Sequence, residues 1–334
     1  MPFTLTTTTL AIVVGVFVLV AVLLAFGLSR LKTSGRDQNA DGPAVSGEQD
    51  NVDEITQRLP PSVRSTVQGA SSATLRAAAR TDRGRVRPSN EDDTLILDLK
   101  DDSGIVRTAL YAVADGVGGK EKGEVASHTA IEATIRALQA HPFFENEAYL
   151  QSDFDDDSVV EIVRSAVMSA NREVYGVRVD QNSDMGTTLV LALVMQGKAF
   201  VANVGDSRAY LVRDDQIQKL TEDHSLVERM VASGQITSAE ARLHPRRNVI
   251  LRSLGTDPQV EVDLYVEALQ AGDRLLLCSD GLSGMLPDEA LAQISGRERD
   301  VDRACRALVR AANDAGGMDN ISVVLAEVVD SPDS

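Results

Sequence analysis

The chain has 334 residues, with 50 Asp and Glu against 33 Lys and Arg and a formal charge of −17, which argues against a broad basic face for nonspecific nucleic-acid binding. Hydrophobic residues make up 43%, enough for a sizeable core, and the length accommodates one large domain with appendages or two small ones. The only cysteines, Cys278 and Cys305, read as core thiols; they form neither a disulfide framework nor a zinc set.

In chain order, a short uncharged tail over 1–9 precedes residues 10–28, which are apolar and carry no charge. That length matches a bilayer core at 1.5 Å rise per residue, so a transmembrane helix is expected there. A cleaved signal peptide fits less well, because nothing before the apolar run is positively charged. The first charges after it are Arg30, Lys32 and Arg36, and the positive-inside rule then places the C-terminal bulk in the cytoplasm, under a single-pass inner-membrane anchor. Residues 29–74 are rich in Ser, Gly, Asp, Gln and Pro and read as a flexible tether, with a short amphipathic helix near 52–59 and a stretch over 71–80 leading into the first strand of the domain.

From 75 to 330 the pattern is that of one mixed domain. Strands are expected at 94–99, 106–114, 187–195, 198–204, 209–212, 260–266, 273–278 and 321–328, and helices at 124–139, 159–175 and 301–315. Ala126, Ala130, Ala133 and Ala137 form one small-residue face on the first of these helices. Gaps of hairpin length, as between Met195 and Lys198 and between Arg213 and Gln216, favour antiparallel pairing over repeated βαβ units. Two antiparallel sheets packed face to face, with helix pairs outside, accommodate the count. The long excursion 221–256, with short helices at 226–233 and after Thr237, has the length of a lid or binding loop.

The chemistry is concentrated in aspartates. Asp115, Asp206 and Asp280 each follow an apolar run, and Asp319 stands just ahead of one. Carboxylates at the edge of a core are costly unless a cation or donor compensates them, and four at strand ends point to one shared acidic pocket. Glu91 and Asp92, in an acidic turn before the first of these strands, join the candidate set, and Gly116 lets a backbone carbonyl approach an ion. An all-oxygen set favours Mg²⁺ or Mn²⁺ over zinc. Two such ions about 3.5–4 Å apart share a water and aim it at phosphorus. Arg87, on the same turn as Glu91, is the candidate for holding a phosphate. The Gly-rich turn 116–119 lacks the spacing of a P-loop or a dinucleotide site.

The motifs Arg87-x-x-Asn90-Glu91-Asp92, Asp115-Gly116-x-Gly118-Gly119, Gly186-Thr187-Thr188, Gly205-Asp206-Ser207-Arg208, Ser279-Asp280-Gly281 and Asp319-Asn320 occur in one order over 80–329. In that order they resemble the protein phosphatase 2C family, the metal-dependent serine/threonine phosphatases, of bacterial type. The resemblance implies an α+β fold, a four-layer α-β-β-α sandwich, and a phosphoprotein phosphatase that hydrolyses phosphoserine and phosphothreonine by a metal-activated water at a binuclear Mg²⁺ or Mn²⁺ centre. It implies that Asp115 bridges two metals with the Gly116 carbonyl on one. Asp280 and Asp319 complete the other shell, Glu91 and Asp92 act directly or through water, and Arg87 holds the phosphate. Asp206, with Asp280, corresponds to a third, weaker site, and 221–256 to the flap. Val117 stands where some members carry a proton-donating His, and Gly284 where many carry a carboxylate for the third metal. The implied partners are phosphorylated proteins, the products of a serine/threonine kinase. Two rivals stand beside this reading: a catalytically weak phosphate-sensing or scaffold module, and a phosphatase dedicated to one regulatory partner.

Other features weigh less. The acidic run 153–157 lacks the Gly and terminal Glu of a calcium loop, with Ser158 and Arg164 in their places, and reads as a solvated loop. His128 and His141 read as structural, and His224 at the mouth of the flap is open to two readings, a contact with substrate or, favoured, a capping or surface role. The turn His244-Pro245-Arg246-Arg247 is a basic patch in an acidic protein, open to two readings: a site for phosphorylated segments, or an exposed turn.

Overall fold

β3 (Val106–Val117) shows why the central strands are apolar without interruption. Ala109, Tyr111 and Val113 face one hydrophobic cluster, while Leu110, Ala112 and Ala114 face another, so both sides of the strand are buried. A computed structural model describes residues 73–100, 104–118, 122–141 and 154–330. The expected membrane span 10–28, and the tether as far as residue 72, lie outside them. Among the described residues no helix is long and apolar enough to cross a membrane.

The strands form two antiparallel sheets. One has the order β1 (Ala73–Asp82), β11 (Ile321–Asp330), β10 (Arg274–Cys278), β7 (Arg208–Arg213), β8 (Gln216–Lys219). The other runs β2 (Asp92–Lys100), β3, β5 (Leu189–Met195), β6 (Lys198–Val204), β9 (Asp263–Ala268), with the two-residue β4 (Gly186–Thr187) paired to the end of β3. The turns closing β5–β6 and β7–β8 place Gln196, Gly197, Asp214 and Asp215 at positive φ. Two consecutive left-handed residues are what a two-residue type I′ hairpin needs, and its twist matches that of the strands.

Between the sheets lie Tyr111, Val113, Val190, Leu211, Leu277 and Val324 among others. The outer face of the six-stranded sheet is covered by α1 (Lys122–Gln139) and α2 (Asp156–Asp180), through Ala126, Ala130, Ala133, Val163, Val167 and Val174. Ala126, Ala130 and Ala133 of the small-residue face are fully buried in this cluster. The other outer face is covered by α6 (Asp288–Arg297) and α7 (Val301–Asp314), with Leu291, Cys305 and Leu308 against Tyr210, Leu276 and Val323. The four layers α-β-β-α follow. Side chains such as Leu191 and Leu276, fully withdrawn from water, each contribute roughly 1.5–3 kcal/mol.

Several boundaries differ from expectation. β1 begins at Ala73, so the last two tether positions belong to the sheet. The strand expected at 187–195 is broken at Thr188, and the one expected from 260 begins at Asp263. α6 and β8 were not expected at all. From residue 154 the acidic run 153–157 is not the solvated loop expected: Asp155 caps α2, accepting from the Ser158 amide at 2.9 Å and from its hydroxyl at 2.9 Å, and Asp156 and Asp157 form the first turn of the helix.

The flap carries α3 (Leu226–Ala232) and α4 (Ser238–Leu243), each opened by a hydroxyl cap, at Ser225 and at Thr237 with Glu240 in a capping box. It returns to the body through Leu254, whose backbone pairs with Thr187 in both directions at 2.8 and 3.1 Å.

Candidate active site

Antiparallel pairing brings the ends of β3, β6 and β10 and the starts of β2, β7 and β11 to one end of the sandwich, and five acids sit there: Asp92, Asp115, Asp280, Asp319 and, between β6 and β7, Asp206. Asp92 lies directly opposite Asp115 in the β2–β3 register. Like charges so placed repel, so something must hold them. The Asp115 backbone is clamped by the two threonines of the 186–188 motif. Its N–H donates to Thr188 Oγ1 at 3.0 Å, and its carbonyl accepts from the Thr188 N–H and from Thr187 Oγ1, both at 2.9 Å. Thr188 Oγ1 is in turn 2.7 Å from Ser207 Oγ.

Asp280 opens the one-turn helix α5 (Asp280–Ser283) just beyond β10. Its predecessor Ser279 donates to Asp92 Oδ2 at 2.8 Å and accepts from the Ser322 N–H at 3.0 Å, tying β2, β10 and β11 together. Gly281 is dictated by a close approach: a Cβ there would sit 1.8 Å from the Asn320 carbonyl oxygen. Asn320 is the hub of the acidic turn. Its Oδ1 accepts from the Glu91 N–H at 2.9 Å, and its Nδ2 donates to the carbonyls of Arg83 and Ser89 at 3.0 and 2.8 Å. Gly84, at φ +76°, completes that turn where a Cβ would meet the Asp319 carbonyl at 2.1 Å.

The electrostatics are those of crowded acids. Burial, then the charges of Asp92, Asp280, Asp206 and Asp319, push Asp115 well above the usual carboxylate range. Asp206, nearly fully buried, rises for the same reason, with Asp280 and Asp223 adding to it. Burial lifts Asp92 to about 7, with the Ser322 and Ser279 hydrogen bonds opposing. Asp280 rises to about 6 through burial and Asp319, held back by its hydrogen bond with Asp115 and by Arg87 and Arg208. Burial also raises Glu91, against the pull of Arg87. Arg87 Nη2 stands 2.7 Å from Asp319 Oδ2, and this bond, with Asp115 and Asp280 nearby, raises its pKa.

The donor set fits hard divalent cations. It is wholly oxygen, and Asp92 Oδ1, Asp206 Oδ1 and Asp280 Oδ1 are buried without a hydrogen-bond partner. Each such oxygen carries a desolvation penalty of roughly 1–3 kcal/mol or more until something binds it. Among the described residues no three or more His, Cys, Asp or Glu side chains stand close enough together to hold a metal ion as they are placed. Asp319 is engaged by Arg87 at 2.7 Å.

A cleft of about 430 Å³ leads from Arg87, Asp206, Asp280 and Asp319 beneath the flap, where Val227, Val231 and Ala241 line it. Arg208 does not face the acids of the site as a free cation. It grips Asp223 through two nitrogens at 2.6–2.9 Å and so fastens the root of the flap. His224 is a second fastening: its Nδ1 accepts from the Gly205 N–H at 3.0 Å, and its Nε2 lies 3.0 Å from Asp263 Oδ2 and 2.9 Å from Arg252 Nη1. His128 pairs with Asp93 at 3.0 Å.

All eight sequence-predicted site residues thus lie at this one end. The supporting residues Thr187, Thr188, Ser279, Asn320 and Ser322 had no assigned role in the sequence. Their only signal was that four of them, Thr187, Thr188, Ser279 and Asn320, sit inside the motifs that carry the family resemblance.

Residues 85–326 match the family model described as Protein phosphatase 2C. The chain is 40% identical over 260 residues to the serine/threonine phosphatase stp of Listeria innocua, covering 76% of this chain and 96% of that protein. Its fold is similar to the PPM Ser-Thr phosphatase MsPP from Mycobacterium smegmatis in complex with cacodylate, at 37% identity and a TM-score of 0.62, over 76% of this chain and 98% of that one. It is also similar to the catalytic domain of the serine threonine protein phosphatase PstP in complex with two manganese ions, at 35% identity and a TM-score of 0.63, over 77% of this chain and all of that one. The sandwich, its acidic end and these likenesses define a metal-dependent type of phosphatase scaffold. The chain belongs to the protein phosphatase 2C family, a family of phosphoprotein phosphatases.

Proposed function

We propose that this chain is a membrane-anchored protein serine/threonine phosphatase, with a tail at 1–9, a membrane span at 10–28, a tether at 29–74 and a catalytic domain at 75–330 on the cytoplasmic side of the inner membrane. The observation that carries the catalytic part is the convergence of Asp92, Asp115, Asp206 and Asp280, with raised pKa values and unpartnered buried oxygens, beside Arg87. The anchor rests on the uncharged apolar run and the positive charges that follow it.

In this reading Asp115, the Gly116 carbonyl, Asp280 and Asp319 hold two Mg²⁺ or Mn²⁺ ions, with Glu91 and Asp92 contributing directly or through water. Asp206 and Asp280 serve a third, weaker site. Two such ions, when bound, supply an activated water and offset the charge of the phosphate. The chain's own residues do the rest. Thr187 and Thr188 fix the Asp115 backbone, and Ser279 fixes Asp92, so the acids are placed before any substrate arrives. Arg87, on the half-exposed rim, exchanges its Asp319 partner for two phosphate oxygens, a geometry its planar fork matches. The flap walls the cleft and seats the peptide that carries the phosphate.

Phosphate release from a phosphothreonine peptide tests this. Release with Mn²⁺ that stops on adding a chelator is the expected result; equal release in both sinks the metal mechanism. Asp280→Asn is expected to lose about a hundredfold or more in kcat while keeping its fold, since several kcal/mol of charge stabilisation are removed.

A further inference from the structure

The basic turn of the flap faces two ways. Arg246 is exposed, whereas Arg247 is half-buried and lines the same cleft as Arg87, Asp280 and Asp319. The other cations of that cleft are engaged by acids. Arg87 pairs with Asp319, Arg208 with Asp223, and Lys219 with Asp223 and Glu228 at 3.5 and 3.4 Å. Arg242, on α4, reaches across to Asp288 of α6 at 3.6 Å. Among the described residues the Arg247 guanidinium has neither an ion pair nor a hydrogen bond; its backbone alone is tied, to the His244 carbonyl at 3.1 Å. A guanidinium half out of water and unpartnered favours an anion, and its five donors suit a carboxylate or a phosphate.

We infer that Arg247 is a specificity residue: it binds an anionic group that the substrate carries beside its phosphorylated residue, either an acidic side chain or a second phosphate. This rests on the phosphatase reading above. The body of the cleft is acidic, so a negatively charged flank is otherwise repelled, and Arg247 reverses that preference at the flap wall. Arg242 is held back from the same role by Asp288.

The test uses the full chain with Mn²⁺ and three phosphothreonine peptides of one length, whose flanking position carries Glu, phosphoserine or Gln. The wild type is expected to favour at least one charged peptide over the Gln peptide by about fivefold in kcat/KM, through KM, and less at high salt. The preferred peptide tells carboxylate from phosphate. Arg247→Gln brings the ratio to near one, Arg247→Lys retains part of it, and Asp288→Asn, which frees Arg242, widens it. A wild type that treats the three peptides alike, or an Arg247→Gln variant that slows all three by one factor, overturns the inference. Hydrolysis of p-nitrophenyl phosphate by the wild type separates the two failures: turnover without discrimination defeats the inference alone, and no turnover of any substrate defeats the phosphatase reading with it.

Discussion

Asn320 shows how much of the site depends on residues that carry no reaction chemistry. It is buried and joins the start of β11 to the turn that bears Arg87 and Glu91 through three hydrogen bonds. Asn320→Ala strands an amide and two carbonyls, and a loss of about 2–3 kcal/mol is expected in urea unfolding, with turnover falling further because Glu91 and Arg87 lose their placement. An unchanged unfolding midpoint would contradict that role. The acids themselves could be read from the sequence, because an aspartate after a continuous apolar run has one physical explanation, a charge at the rim of a core. Ser279, Thr188 and Asn320 could not, because what makes each matter is a partner 187, 73 or 229 positions away. A lone hydroxyl or amide in a motif gives no hint of that partner until the chain is folded.

Among the elements, the strands buried on both faces were the plainest in the sequence: β6 runs over Lys198–Val204 as expected, and β3 and β5 differ only at their ends. β8 was hidden because its four residues, Gln-Ile-Gln-Lys, offer one apolar side chain to the core, and α6 because its apolar positions are few and interrupted by Ser and Gly. β1 was visible only in part. It carries Arg76 and Arg80 among small residues, yet pairs with all of β11 from Ala73↔Asp330 to Asp82↔Ile321. It covers the edge of a strand whose residues Ile321 to Ala326 are buried. A chain beginning at Arg83 leaves that apolar edge unpaired, and is expected to aggregate where one beginning at Ala73 remains monomeric by light scattering. A monomeric, cooperatively melting product from the shorter chain would show that β1 is dispensable.

For the whole molecule, the gathered acids couple folding to pH and, under the function proposed, to metal. In the fold Asp92 rises to about 7 and Asp280 to about 6, from an ordinary 3.8. A raised carboxyl binds protons in the folded state that the unfolded chain has already released. Its contribution to stability is therefore full below pH 3.8 and lost as pH climbs through 6 and 7. The chelated protein is expected to show a lower urea midpoint at pH 8 than at pH 5, a difference that shrinks in Asp92→Asn. Mn²⁺ restores the midpoint most at the higher pH, where the acids are already ionised. A midpoint independent of Asp92 across that range would contradict the coupling. The central claim is that side chains far apart in sequence cage two divalent ions, and calorimetric titration of Mn²⁺ into the full chain and into Asp115→Asn tests it most directly. Two strong sites per chain in the wild type, with at least one lost in Asp115→Asn, is the result expected. No measurable binding, or the same isotherm for both proteins, would contradict it.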